Sequence, residues 1–268
     1  MFKRMVWILY ASSGVKEDWT YKIHVKIFKK MKSQYTIMHL GGSLVVPTIS
    51  DTVGIDIAYL KKLRIFLLSQ LKKKKKFIIV IGGGKTARVY QKSAARVVNI
   101  HEYDLDWIGI HATRLNAHLL RTIFEKEAYP VVIDHDPSRE EVEMLKSSNK
   151  NLFFASGWKP GWSTDYIAVE LARKFGSKEV IIAKDIPFVY DSDPRKNKKA
   201  KPIKELTWKE YGKLIPARWT PGLSTPVDPV ATKLAEKLKI EAKILNGKDI
   251  SNMQKAIQGK TFKGTLIS

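Results

Sequence analysis

Two glycine clusters carry the first chemical signal. Gly41-Gly42-Ser43 and Gly82-Gly83-Gly84-Lys85-Thr86 each close an apolar run, and a helical pattern follows the second. A residue without Cβ lets backbone N–H groups come close to phosphate oxygens. A helix that starts just behind adds further donors and a favourable dipole. Lys85 brings a positive charge that would neutralise a phosphoryl group in transfer. Neither cluster has the Gly-x4-Gly-Lys-Ser/Thr spacing of a Walker loop or the Gly-x-Gly-x-x-Gly of a dinucleotide fold. Either one alone is also compatible with a tight turn that binds nothing. Two of them at comparable strand ends favour phosphate.

A third block, Gly157 to Asp165, also lies between a strand and a helix. Ser163 or Thr164 would cap that helix, and Asp165 would fall in its first turn, where a carboxylate complements the dipole. The functional alternative is a carboxylate that orients lysine side chains or a Mg²⁺ ion beside a reacting phosphate. Asp106 opens a fourth block that runs to Ala117; it is either a helix cap or an acceptor for two ribose hydroxyls. Val189 to Arg195 and Pro226 to Lys233 read by themselves as turns. By composition and spacing these residues reach a phosphate-binding α/β enzyme and stop there.

The elements that must hold them alternate. Strands are expected at Tyr35–Leu40, Phe77–Ile81, Val131–Ile133, Leu152–Ala155, Val180–Ala183, Ala242–Leu245 and Thr265–Ile267. Between them Leu60, Leu63, Leu67 and Leu71 recur at helical spacing, as do Ala87, Tyr90, Ala94 and Val97. Leu105, Ile108, Ala112, Leu115 and Leu119 mark another helix face. Further helices are expected after Ser163, with Ala168, Leu171, Ala172 and Phe175 inward, at Pro229–Leu238 and from Ile250. Apolar strands without period-two polarity, alternating with helices, imply a mainly parallel sheet covered on both faces. Ligands in such sheets bind beyond the carboxyl ends of the strands. The Lys- and Pro-rich stretch Ser192 to Pro202 reads as an exposed loop.

The chain has 268 residues, no cysteine and a formal charge of +22. No disulfide framework or cysteine metal site is available. No apolar run is long enough for a membrane span, and the first 30 residues lack the pattern of a secretory signal. A cytoplasmic setting fits these facts. The charge admits nucleic acid as a partner, yet the lysines are spread along the chain and no nucleic-acid motif accompanies them. A nucleic-acid role is therefore not expected.

Taken together, the blocks resemble the amino-acid-kinase family and, within it, the UMP kinases of the archaeal-type branch. The resemblance runs from about Thr36 to Ile267 in the family's order. It implies a three-layer α/β/α sandwich with a mainly parallel central sheet, and transfer of phosphate from MgATP to UMP. Ile81 to Arg88, IGGGKTAR, is its most specific string. By the resemblance Gly83, Gly84, Arg88, Asp106 and Thr164 would hold UMP. Gly41, Gly42, Ser43, Tyr190, Asp193 and Asp228 would hold ATP. Lys85, Asp165 and Lys184 would serve the transfer, with Lys85 the first candidate for the phosphate-contacting lysine and Lys184 the second. No protein metal ligands are implied; Mg²⁺ comes with ATP. A homo-oligomer is implied, a hexamer built from dimers.

Two positions depart from the family pattern. His39 stands where many members have Lys, and Asp185 stands where Lys or Asn is usual, with Lys184 one residue away. Residues 1–30 fall outside the resemblance and read as an N-terminal extension, disordered or upstream of a native start at Met31. Residues 31–268 would form one kinase domain, with an acceptor lobe over about 31–175 and an ATP lobe over about 176–268. The alternatives are a same-fold kinase for isopentenyl phosphate, acetylglutamate or a carbamate, and a non-catalytic nucleotide-binding regulator.

Overall fold

The computed structural model describes residues 34–47, 54–220, 223 and 225–268. The expected extension over residues 1–30 and the start at Met31 lie outside the described residues. The chain enters the sheet at β1 (Tyr35–Leu40), makes the single turn α1 (Gly42–Val45) and the long α2 (Ile57–Lys72), and returns as β2 (Lys76–Ile81). Helices α3 (Gly84–Val97), α4 (Glu102–Ile123) and α5 (Arg139–Ser147) precede β3 (Leu152–Ala155). Then follow α6 (Thr164–Phe175), β4 (Glu179–Lys184), the short β5 (Val189–Tyr190), β6 (Pro202–Ile203) and β7 (Glu205–Leu206), and α7 (Trp208–Leu214). The chain closes with α8 (Pro229–Leu238), β8 (Glu241–Asn246), α9 (Ile250–Ile257) and β9 (Thr265–Ile267).

Seven strands form the main sheet in the order β3-β2-β1-β4-β8-β9-β7. The five strands from β3 to β8 are parallel; β9 runs antiparallel to β8, and β7 is parallel to β9. Strands β5 and β6 pair separately as an antiparallel ribbon. The central strands are apolar on both faces because both are covered. Ile37, Ile78, Val80, Phe153 and Ile182 face the layer of α5, α6, α7 and α8. Met38, Leu40, Ile79, Phe154 and Ile181 face α2, α4 and α9. Each such buried side chain contributes on the order of 1.5–3 kcal/mol from leaving water. The result is the three-layer α/β/α sandwich with a mainly parallel sheet.

Most expected elements stand where the pattern put them; one strand does not, and two helices turn some of their expected apolar residues outward. Val131–Ile133 is not a strand: this stretch touches the sheet edge only through isolated bridges, Ala128 to Leu152 and Ile133 to Ala155. Tyr90 and Val97 of α3 do not face inward; they are exposed. Leu115 of α4 is likewise exposed, and the buried face of α4 carries Asp106, Ile110, Thr113, Asn116, Ala117 and Leu120. That inward face is partly polar because it serves the loops at the sheet edge; of the expected apolar face, Ala112 is buried and Leu119 packs against the core.

Candidate active site

The parallel strands β1, β2, β3 and β4 all end on the same side, at Leu40, Ile81, Ala155 and Lys184. The four loops that follow them line one cleft of about 210 Å³. Gly41, Gly42, Ser43, Gly83, Gly84, Arg88, Asp106, Thr164, Asp165, Lys184 and Asp228 all line it.

The two glycine loops are locked backbone to backbone. A Cβ on Gly42 would fall 2.0 Å from the Gly84 nitrogen and 2.4 Å from the Gly82 carbonyl oxygen. Gly84 also takes a positive φ of 65°, which favours glycine. Asn116 of α4 donates its Nδ2 hydrogen to the Gly82 carbonyl at 2.9 Å. Thr113 Oγ1 accepts from the Gly157 N–H at 2.7 Å and donates to the Ile110 carbonyl at 2.6 Å. Among the described helices, only α1 and α3 lack a side-chain cap. Side chains cap each of the others: Asp56, His101, Ser138, Ser163, Thr207, Asp228 and Asp249. The two uncapped helices are those that start from the glycine loops. A helix N-terminus without a capping side chain is a ready anion site.

Asp165, in the first turn of α6, is the electrostatic centre of the cleft. Its Oδ2 accepts from Lys184 Nζ at 3.0 Å, and its Oδ1 lies 2.6 Å from His39 Nδ1. Burial would raise the pKa of this carboxyl, but Lys184 and His39 outweigh it and hold the group at about 2. Oδ2 is thereby hydrogen-bonded to Lys184, and Oδ1 is in close ionic contact with His39. Lys184 Nζ also donates to the Thr225 carbonyl at 3.0 Å.

Asp228 is the N-cap of α8, its Oδ1 accepting from the N–H groups of Val230 at 2.7 Å and Ala231 at 3.0 Å. Its Oδ2 accepts from the Ser163 hydroxyl, and Ser163 Oγ in turn accepts from the Tyr166 N–H, capping α6. One carboxylate thus ties two helix starts together. Burial and the nearby Asp165 raise its pKa, against the lowering effect of its hydrogen bonds. Tyr211 Oη fixes the approach to this cap by donating to the Val227 carbonyl and accepting from the Val227 N–H, at 2.8 and 2.7 Å.

On the other side of the cleft Arg88 Nη2 donates to Ser43 Oγ at 3.0 Å. Asp106 is not a cap: His101 caps α4, and Asp106 sits in the second turn, where Oδ2 accepts from the Gly161 N–H at 2.7 Å. Burial raises the Asp106 pKa, and the Gly161 hydrogen bond partly offsets this.

Three expected site residues stand elsewhere. Lys85 does not line the cleft, whereas Gly84, Ala87, Arg88 and Gln91 do. Successive helical residues are turned by about 100°, so position 85 points off the face that 84, 87, 88 and 91 share. Tyr190 and Asp193 also lie outside the cleft lining. Tyr190 belongs to the β5–β6 ribbon, and Asp193 is paired with Arg195, Oδ1 to Nε at 3.1 Å. Lys184, the second candidate lysine, does line the cleft. Thr113 and Asn116 had no expected role, although both lie in the Asp106–Ala117 block. Two polar residues three apart on an otherwise core-facing helix were the available signal.

The family model described as "Amino acid kinase family" matches residues 34–246. A uridylate kinase of Thermococcus onnurineus is 33% identical over 232 residues, covering 86% of this chain and 98% of that protein. A uridylate kinase of Hyperthermus butylicus is 32% identical over 186 residues, covering 69% of this chain and 79% of that protein. The crystal structure of a uridylate kinase from Archaeoglobus fulgidus superposes with a TM-score of 0.69 at 28% identity, covering 87% of this chain and 100% of that one.

Proposed function

The chain belongs to the amino acid kinase family, and on that premise we propose that it transfers the γ-phosphoryl group of ATP to UMP, giving ADP and UDP in pyrimidine nucleotide biosynthesis. The observation that carries this reading is the pair of uncapped helix starts at the interlocked glycine loops. They share one cleft with Lys184–Asp165 and with Arg88 and Asp106.

In this reading Gly41, Gly42 and Ser43 hold ATP phosphates, and Gly83, Gly84 and Arg88 hold the UMP phosphate. Asp106 accepts from the UMP ribose, and Thr164 stands beside the acceptor nucleotide. Phosphoryl transfer needs two nucleotides in line and their charge neutralised, with little covalent help. A phosphate monoester has a second pKa of about 6, so the attacking oxygen is already ionised at neutral pH. No general base is required, and Asp165 serves by orienting Lys184. Among the described residues no three His, Asp or Glu side chains gather to hold a metal ion. Mg²⁺ would enter with ATP and would supply neutralisation of phosphate charge.

Residues 31–175 and 176–268 are proposed as the acceptor and ATP lobes. Self-association is proposed as well, supported by the exposed Tyr90, Val97, Val98, Tyr103 and Leu115 on α3, α4 and the connection between them. Light scattering of the purified chain tests it, a monomer being the contrary result. A cytoplasmic location is proposed with it; no helix among the described residues is long and apolar enough to cross a membrane. The functional test is coupled ADP release with UMP, CMP and isopentenyl phosphate as acceptors. The reading expects UMP to be strongly preferred, and ADP release with isopentenyl phosphate alone would overturn it.

A further inference from the structure

Gln91 is a polar residue of α3 that the reaction described above leaves unused. It follows Arg88 by three positions, and both line the cleft. Residues so spaced share one face of a helix. The Gln91 Nε2 group donates to the Leu105 carbonyl of α4 at 2.8 Å. A carbonyl oxygen can only accept, so this partner dictates which end of the amide faces it. Gln91 cannot turn its NH2 group toward a ligand without breaking that bond. Its Oε1 accepts no hydrogen bond among the described residues and is not sealed from solvent. Room for the amide comes from a glycine on α4. A Cβ on Gly109 would fall 3.0 Å from Gln91 Nε2 and 3.9 Å from Asp106 Oδ1. The amide and the Asp106 carboxylate therefore stand beside the same glycine, and Leu105 is the residue before Asp106.

We propose that Gln91 Oε1 reads the base of the acceptor nucleotide by accepting from uracil N3–H, and that this contact sets UMP above CMP. The proposal rests on the UMP reading above. That reading puts the acceptor phosphate at Gly83, Gly84 and Arg88 and its ribose at Asp106. Helix α3 runs away from the glycine loop, so Gly84, Arg88 and Gln91 follow one another outward along the cleft. Phosphate, ribose and base follow one another in the same order. Trp162, next to the Gly161 that binds Asp106, lines the same cleft and gives a planar ring an apolar neighbour. On the pairing edge of uracil N3–H is the one donor, flanked by the acceptors O2 and O4. An amide that offers only its oxygen can therefore pair with uracil at N3 alone. Cytosine carries a bare N3 lone pair there, which opposes Oε1. Its N4 amine is displaced around the ring, and to bring it onto Oε1 the ribose and phosphate would have to leave Asp106 and Arg88. A site built around a hydrogen bond rejects the analogue that cannot make it, because the site's own polar group is left unpaired.

The test uses the full chain in two measurements. The first compares kcat/KM for UMP and for CMP, by coupled ADP release, in wild type and in Gln91→Met. Methionine keeps the length of the side chain and lacks the amide. Wild type is expected to prefer UMP, and the UMP-to-CMP ratio is expected to fall on the order of 10- to 100-fold in the variant, the effect of one lost hydrogen bond in a desolvated site. Loss of the Leu105 contact alone would loosen α3 against α4 and slow both nucleotides alike. A ratio that stays the same in Gln91→Met therefore overturns the proposal, even where both rates fall. The second measurement needs no variant. Calorimetry gives the wild-type Kd for UMP and for 3-deaza-UMP, in which a C–H group replaces N3–H. The analogue is expected to bind on the order of 10- to 100-fold more weakly, and equal affinity overturns the proposal. Wild type that turns over neither UMP nor CMP removes the UMP reading itself. Wild type that prefers UMP, with a ratio unchanged in Gln91→Met, removes only the role of Gln91.

Discussion

Lys184 Nζ sits 3.0 Å from Asp165 Oδ2 and 3.0 Å from the Thr225 carbonyl oxygen, so one side chain at the end of β4 joins the start of α6 to the segment that leads into α8. Lys85, the lysine beside the glycine loop, is turned off the cleft face. Lys184→Ala is therefore expected to lower kcat by about 10²–10³-fold, the cost of removing one preorganised charge from a transfer site. Lys85→Ala is expected to stay within about threefold of wild type. Coupled ADP release separates the two, and the reverse ranking would return the transfer role to Lys85.

Arg88 reaches the cleft from the first loop's own hydroxyl, through Ser43. Removing a charge-assisted contact to phosphate costs on the order of 1.5–3 kcal/mol. Arg88→Ala should accordingly raise the UMP KM by about 10- to 100-fold while kcat changes little. Unchanged UMP kinetics would exclude Arg88 from the acceptor site.

The carboxyl of Asp165 is held at about 2 by Lys184 and His39 against its burial. A carboxyl depressed on folding stabilises above its unfolded pKa of 3.8 and loses that contribution as pH falls through the folded value. The contribution is on the order of 2 kcal/mol. The stability difference between wild type and Asp165→Asn should shrink by about that much between about pH 5 and about pH 2. Urea unfolding at several pH values measures it, and a pH-independent difference would contradict the depressed carboxyl.

Two glycines make a paired stability test. An added methyl at Gly42 meets backbone at 2.0 Å, whereas at Gly212 in α7 it meets nothing within 4 Å. Gly42→Ala should destabilise by about 3 kcal/mol or more, since a backbone clash cannot be relieved by a rotamer change. Gly212→Ala should stabilise by about 0.5–1 kcal/mol, the helix-interior advantage of alanine. Thermal unfolding of both variants decides between a packed and an open loop.

The sheet and the glycine loops were legible because their signals are local. Tyr35–Leu40 is a short apolar run ended by glycine, and the strand has those bounds. Pro229 behind Asp228 marked the start of α8, and Asp228 is its cap. What stayed hidden depends on contacts distant in sequence. Nothing local says that Asp106 meets Gly161, 55 residues on. Nor does the Lys85 sequence context reveal that the helix turns it from the cleft. Nor does anything local give Asn116 its partner, the Gly82 carbonyl 34 residues earlier.

The place of β1 in the sheet has a consequence for biosynthesis. This first described strand is central, between β2 and β4. Its partner β2 leaves the ribosome soon after it, but β4 begins only at Glu179. At synthesis rates of about 5–20 residues per second, one edge of β1 waits roughly 7–28 s for its neighbour. An apolar edge left open that long is a site for pairing with another nascent chain. The same central strand that sets the phosphate loop is thus the point at which the growing chain needs shelter.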